Sequence, residues 1–139
     1  MSAMSTYLEN ILVEHVLRNV PYTSPGTSVY VGLIKYYDAA VVEAGTLTQE
    51  PSGGAYARVQ VDGGSTGGWA AASNGATQNN DAITFPTATG DWGGISGVII
   101  SDAASAGNVL LHGSLTSARD VKNGDVFKFN AGDLDVTFA

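Results

Sequence analysis

The amino-acid sequence predicts a mainly β fold, a single antiparallel β-sandwich domain similar to a jelly roll with one N-terminal α-helix. Short apolar runs recur along the chain, and turn signals rich in Gly, Asn, Asp and Ser separate them about every 8–12 residues, as in antiparallel sandwiches. In the last run Leu134, Val136 and Phe138 alternate with polar residues, which indicates a strand with one buried face. No helical pattern interrupts the strands, so a parallel α/β sheet is not expected.

The composition narrows the classes of function. The chain of 139 residues is 44% apolar, enough for one folded domain spanning residues 1–139. A net charge of −7, with only six Lys and Arg, disfavours binding to nucleic acid or to an anionic membrane surface. Without cysteine the chain forms no disulfide or thiolate metal site. The N-terminus lacks the features of a secretory signal, so we expect the protein to remain where it is translated.

The first predicted element is an amphipathic helix at about residues 5–18. Thr6 and Glu9 have the spacing of a capping box, although Ser5 is an equally suitable cap. Asn19 is expected to end the helix. The apolar positions are Leu8, Ile11, Leu12 and Val16. Two interpretations remain open, a helix that docks on a partner and a helix that lies across one end of the sandwich.

The middle of the chain contains strands joined by turns. Residues 29–36 form a predicted strand that is partly apolar on both faces, which indicates a central or interface position. Residues 38–54 are predicted to be a surface loop rather than a helix. Turns are expected at residues 62–65 and at Asn74-Gly75. Further strands are predicted at 56–61, 76–80 and 82–85.

The last third of the chain has four apolar runs, at residues 95–102, 108–115, 125–129 and 133–138. Two of them follow a Gly-Asp pair, Gly124-Asp125 and Gly132-Asp133. Gly readily adopts positive φ and Asp bonds to nearby backbone, so these pairs are interpreted as turns. Asp102 is likewise expected to begin a hairpin loop. In total about eight strands are predicted.

His112 is the first candidate for chemistry, since a catalytic set can be written with Ser114 or Ser101 and with Asp102. No nucleophile elbow accompanies it and no spacing brings the three together, so a structural or interface histidine is favoured. The carboxylates Asp125, Asp133 and Asp135 suggest glycoside hydrolysis or Ca²⁺ binding. Turn caps and a solvated strand face explain them better.

Two other patterns suggest ligand sites. The Gly-rich segment 62–68 lacks the Gly-Lys-Ser/Thr ending of a phosphate loop. Trp69 and Trp92 could stack on sugars if exposed, but buried or interface aromatic residues are commoner. We therefore predict no catalytic residue, no metal site and no cofactor.

The order of motifs along the chain is similar to that of a known family. The motifs are the helix with Tyr22-Thr-Ser-Pro after it, Val29-Tyr-Val-Gly-Leu33, Gly53-Gly-Ala-Tyr-Ala-Arg58, Ala82-Ile-Thr-Phe-Pro-Thr-Ala88, Trp92-Gly93, Leu110-Leu-His-Gly-Ser-Leu115 and the Gly-Asp ending. They resemble small virion proteins of tailed bacteriophages, which are labelled tail fibre proteins or capsid decoration (cement) proteins. The resemblance implies a β-sandwich subunit, no catalysis and assembly on a virion.

The resemblance leads to a first hypothesis, a capsid decoration protein. It would bind the outer surface of the head as a homotrimer and stabilise the shell of the major capsid protein, with no role for nucleic acid or membrane. The absence of a coiled-coil or repeat stalk favours the head over the tail. The expected contact residues are Tyr7, Leu8, Ile11 and Trp92. The alternatives are a tail fibre domain that binds host glycan through Trp69 and Trp92, and a glycoside-active enzyme using Asp133 and Asp135.

Overall fold

A computed structural model describes residues 3–24, 27–63 and 67–138. Within these ranges the protein has nine strands and two helices, so the predicted mainly β class is confirmed. Parts of the predicted connection after α1 (residues 25–26) and of the turn at 62–65 (residues 64–65) lie outside the described residues. The elements are β1 Ala3–Met4, α1 Thr6–Arg18, β2 Ser28–Lys35, α2 Ala39–Glu43, β3 Val59–Asp62, β4 Ala76–Gln78, β5 Ile83–Thr84, β6 Gly93–Ser101, β7 Val109–Val121, β8 Lys128–Phe129 and β9 Asp135–Thr137.

One antiparallel sheet carries the fold, with strand order β1-β7-β6-β2-β3. The central position predicted for β2 is correct, since β2 pairs with β6 on one side and β3 on the other. Two small antiparallel pairs, β4-β9 and β5-β8, complete the strands. Their apolar side chains pack in one core with those of the large sheet, for example Ile83, Phe129 and Val136 with Leu33. The protein is therefore layered, as the alternating pattern predicted.

The opposite face of the large sheet packs against α2. Ile34, Ile99 and Val109 form a second buried cluster with Val42 of that helix. The prediction of a loop without a helix at residues 38–54 is wrong here. Asp38 caps α2, its side chain accepting a hydrogen bond from the amide of Ala40. A helix of five residues is too short to produce a recognisable period, and burial of one valine against the sheet stabilises it.

Helix α1 begins one residue earlier than a capping box would place it. Ser5 is the N-cap, and its hydroxyl accepts a hydrogen bond from the amide of Leu8 at 3.2 Å. The Ser5 amide donates to the Leu110 carbonyl at 2.9 Å, which fixes this residue to β7. A tertiary contact therefore determines which residue caps the helix, and the capping-box spacing in the sequence does not show that contact. Asn19 ends the helix in the left-handed conformation, with φ of 55°, as predicted.

The two Gly-Asp turns form as predicted. Gly124 and Gly132 have φ of 91° and 82°. Asp125 accepts a hydrogen bond from the amide three residues before it at 3.0 Å, and Asp133 does the same at 2.9 Å. These carboxylates are thus turn caps. In the strand that follows, Leu134 and Val136 are buried as expected, but Phe138 lies beyond the end of β9 and is half-exposed.

Strand β7 is longer than predicted and carries a wide bulge. Ile95 pairs with Arg119 and Gly97 pairs with Ser114, so a single residue of β6 faces residues 115–118 of β7. The sequence there is polar, which is why the predicted strand stopped at residue 115. A bulge leaves residues unpaired and redirects the strand. This bulge opens the side of the sandwich between β7 and the segment from β8 to β9.

A buried ion pair lies where β3 stops covering β2. Strand β3 pairs with β2 only as far as Val31. Beyond that point the Tyr56 hydroxyl accepts a hydrogen bond from the Leu33 amide at 2.9 Å. Arg58 and Glu50 meet next to it in a bidentate pair, with Nε to Oε1 at 2.7 Å and Nη2 to Oε2 at 2.8 Å.

The guanidinium of Arg58 also holds the β6–β7 connection. Its Nη1 donates to the Ser101 hydroxyl at 2.7 Å and to the carbonyls of Ala103 and Ala106 at 2.7 and 3.0 Å. The hydrogen bonds to Glu50 raise the pKa of Arg58, so the guanidinium stays charged. We call Glu50, Tyr56, Arg58 and Ser101 the Arg58 cluster. Every donor of a buried guanidinium must find an acceptor, and here one side chain ties three separate segments together.

Gly32 leaves the space that the Arg58 cluster needs. A Cβ at this position would lie 3.0 Å from the Tyr56 hydroxyl, 3.1 Å from Oε1 of Glu50 and 3.0 Å from Cγ1 of Ile99. Burial and the neighbouring Glu50 carboxylate raise the pKa of Tyr56, so its hydroxyl remains a hydrogen-bond donor. The glycine of the Val29–Leu33 motif thus has a packing role.

We expect Gly32→Ala to lower the free energy of unfolding by about 1–3 kcal/mol, because the added methyl displaces buried hydrogen-bonding groups. Chemical denaturation measures the change. Gly94→Ala is the matched control, since Gly94 is also in a strand but a Cβ added there would have no atom within 4 Å. Equal stability of the two variants would contradict the packing role of Gly32.

We expect Arg58→Met to cost about 3–5 kcal/mol, because it leaves the Glu50 carboxylate buried without its partner. Chemical denaturation measures this loss from the shift of the transition midpoint, with one slope of unfolding free energy against denaturant concentration used for both proteins. Arg18→Met removes an exposed ion pair with Glu14 and should change stability by no more than about 0.5 kcal/mol. A cost for Arg58→Met as small as that of the control would show that the cluster does not hold the fold.

Candidate interaction surface

Helix α1 buries one apolar stripe and exposes another. Leu8 is 4% exposed and packs in the main core, with Leu12 partly buried against it. A second stripe points away from the protein. It consists of Val13, Val16 and Leu17, which have the i, i+3, i+4 spacing of one helix face, together with Val20 just beyond the end of the helix. Val16 and Leu17 are 73% and 77% exposed. We call these four residues the α1 stripe.

The α1 stripe is the clearest unpaired apolar surface in the described part of the chain. Such surfaces on soluble proteins mark sites where another molecule binds. No helix among the described residues is long and apolar enough to span a membrane. Sequence reasoning placed Val16 on the inward face and overlooked the stripe, although its spacing is readable once the buried side is known to consist of Leu8 and Leu12.

The residues expected to contact a partner divide into two groups. Tyr7 is 42% exposed and Ile11 is partly buried, so both are accessible, and their role in an interface stays a prediction. Leu8 and Trp92 are in the core of this chain. Neither side chain is therefore available at the surface of the subunit.

Trp92 has a structural environment. It is 3% exposed, its indole Nε1 donates to the Gly54 carbonyl at 2.8 Å, and its ring meets that of Tyr56 edge-on at 5.3 Å between centroids. Gly54 has φ of 58°, and a Cβ there would lie 3.1 Å from the indole. Sugar stacking on an exposed Trp92 is thus contradicted, because the ring is enclosed. Trp69 is partly buried against the same core.

The candidate catalytic residues are not assembled. Ser101 is held by Arg58 and also bonds to Ala103. Asp102 accepts two hydrogen bonds from Asn108, at 2.7 and 2.9 Å, and closes the predicted hairpin loop. His112 bonds instead to Tyr37. Each of the three side chains therefore has a separate structural partner.

The candidate acidic residues also have separate structural roles. Asp125 and Asp133 cap turns, and Asp135 lies on the exposed face of β9. Within residues 3–24, 27–63 and 67–138, no group of three His, Asp or Glu side chains is arranged to hold a metal ion.

His112 is buried on the α2 side of the large sheet. It is 2% exposed, its Nδ1 lies 2.7 Å from the Tyr37 hydroxyl, and it is paired across the sheet with Ile99. Burial lowers the pKa of His112 from its usual 6.5, and the nearby Glu43 opposes this in part. The folded protein therefore favours neutral His112.

A lowered pKa in the folded state gives stability that is present above pH 6.5 and is lost as the pH falls below that value. We expect the wild-type protein to lose more stability than His112→Gln between about pH 7.5 and about pH 5.5. Denaturant midpoints at both pH values measure it. The control is His15→Gln, which changes an exposed histidine of α1. If His112→Gln retained the full wild-type pH dependence, burial of a neutral His112 would not be its source.

Comparison with known proteins gives the family. A family model described as podophage GP4 fiber I protein gp80 matches residues 3–137. No curated protein matches the chain. The match spans the helix, the glycine-rich motifs and the Gly-Asp ending, so the resemblance to virion proteins of tailed phages is confirmed. The chain belongs to the podophage GP4 fiber I protein gp80 family and is a phage virion protein of fiber type.

Proposed function

We propose that this protein is a non-enzymatic fibre subunit of a tailed-phage particle, which assembles with copies of itself and with a virion partner through the α1 stripe. The match of a fiber family to residues 3–137 carries the proposal. A fibre subunit needs a stable β fold and a contact surface, and both are features of this chain.

The α1 stripe has the properties of a contact surface. Its apolar side chains would each contribute about 1.5–3 kcal/mol if a partner buried them fully. The exposed ion pair of Glu14 with Arg18 lies on the same helix, which would give the contact a polar rim. The helix is also anchored, because Ser5 and Leu8 fix its first turn to the sandwich. A fixed helix loses less conformational entropy on binding than a free one.

The second candidate is the capsid decoration protein predicted from the sequence, a homotrimer on the head surface that binds the major capsid protein. One observation favours it. Helix α1 has 13 residues and α2 has five, and neither described helix is long enough for the coiled-coil stalk of an elongated fibre. A subunit that binds only the assembled shell would stabilise it by mass action.

The position and copy number in the particle separate these candidates. We expect quantitative mass spectrometry of purified virions, separated into heads and tails, to find the protein at low copy number in the tail fraction. Hundreds of copies in the head fraction would support decoration and contradict the fibre proposal. The protein's absence from both fractions would contradict both candidates.

A substitution in the α1 stripe tests the contact surface. We expect Leu17→Asp to abolish multimer formation and incorporation into particles, because a charge cannot be buried there without a partner. The unfolding free energy should fall by only about 1 kcal/mol, because the side chain is exposed and the remaining cost is that of an acidic residue in the last turn of a helix. Val126→Asp is the control, as Val126 is exposed in the segment just before β8, outside the α1 stripe. Analytical ultracentrifugation and particle composition provide the readouts, and normal assembly of Leu17→Asp would contradict the proposal.

A further inference from the structure

A cavity of about 440 Å³ lies between β7 and the segment from β8 to β9. Its floor is apolar and consists of Val98, Ile100, Leu111 and Leu134. Its rim is polar on both sides, with side chains from β7 facing side chains from β8 and β9. The volume is within the range of small-molecule sites, about 300–1,000 Å³. We call it the β7–β8 cavity.

The cavity is open because β7 leaves the regular sheet beside it. The bulge at residues 115–118 has a single residue of β6 opposite it. On the other side, β1 pairs with β7 only at Leu111 and His112. In the described part of the chain, no strand therefore closes this edge of the sandwich beyond His112.

The rim gathers two cations that form no ion pair among the described residues. Three of the six Lys and Arg residues are in ion pairs among the described residues. Of the other three, Arg119 and Lys128 both line the cavity. The Arg119 guanidinium lies 5.0 Å above the centre of the Phe127 ring, which orients it. Asp135 lines the cavity and is exposed.

The rim combines groups that donate hydrogen bonds with groups that accept them. Arg119 and Lys128 can only donate hydrogen bonds, whereas the carboxylates of Asp133 and Asp135 accept them. Hydroxyl groups of Ser114, Thr116 and Ser117 are also part of the lining. The two carboxylates would repel an anion such as phosphate. An apolar ligand would remove water from the charged groups without replacing its hydrogen bonds. Neither class of ligand therefore fits this rim.

A sugar matches both parts of the cavity. Each of its hydroxyl groups donates and accepts, so neighbouring hydroxyls satisfy a cation and a carboxylate at once. The C–H face of the ring covers an apolar floor. We propose that the β7–β8 cavity binds a neutral saccharide of one or two rings. This goes beyond the proposed function and does not depend on it, because a fibre subunit and a decoration subunit could both carry such a site.

Titration of the isotope-labelled full chain with glucose, galactose, N-acetylglucosamine, rhamnose and lactose tests the proposal by NMR. We expect at least one sugar to shift the amides of residues 114–119 and 128–135 saturably, while inorganic phosphate leaves them in place. Asp135→Asn should weaken this binding about tenfold or more, because it replaces a charged acceptor. Asp120→Asn is the matched control, with the same charge change on exposed β7 outside the cavity.

Three results would overturn the saccharide site. The first is that none of the five sugars shifts these amides at about 50 mM, well above a millimolar dissociation constant. The second is equal binding by Asp135→Asn and Asp120→Asn. The third is a loss of multimer formation in Asp135→Asn, which would identify the cavity as a contact between copies of the chain. Each readout is independent of where the protein lies in the particle.

Discussion

The fold depends on one buried guanidinium. Arg58 has acceptors in three segments, the Glu50 carboxylate, the end of β6 at Ser101 and the β6–β7 loop. Glu50 is far in sequence from Ser101 and from the β6–β7 loop, so Arg58 joins parts of the chain that local structure does not hold together. A charge that is removed from water must keep all its partners, so the cluster either forms completely or not at all. This all-or-none requirement fixes the edge of β2 where β3 ends.

The same constraint gives a structural role to motifs that resemble those of phage virion proteins. Gly32, Gly54, Tyr56, Arg58 and Trp92 belong to several separate motifs along the sequence, and they come together in one region. Gly32 makes room for the Tyr56 hydroxyl, and Gly54 lies against the Trp92 indole. These motif residues therefore serve the packing and hydrogen bonding of the subunit. The two interaction surfaces that we propose, the α1 stripe and the β7–β8 cavity, lie outside this region.

Local patterns predicted local features well. The alternation around Val136, the glycines of the Gly-Asp turns and Asn19 at the end of α1 each depend on neighbouring residues, so the sequence reveals them directly. Features that depend on distant residues were missed. Helix α2 exists because Val42 fills a gap on the sheet, Ser5 caps α1 because β7 holds it, and Trp92 is buried because Gly54 accepts its hydrogen bond. The bulge of β7 was missed for the same reason.

If the α1 stripe holds this subunit in the phage particle, another molecule must cover the stripe there. Cryo-electron microscopy of intact virions is the most decisive test, because the map shows what covers each face of the subunit. We expect density for the chain in which Val16 and Leu17 are buried against another copy or another virion protein. A map in which the α1 stripe faces solvent in every copy, with the subunit held by a different surface, would contradict it.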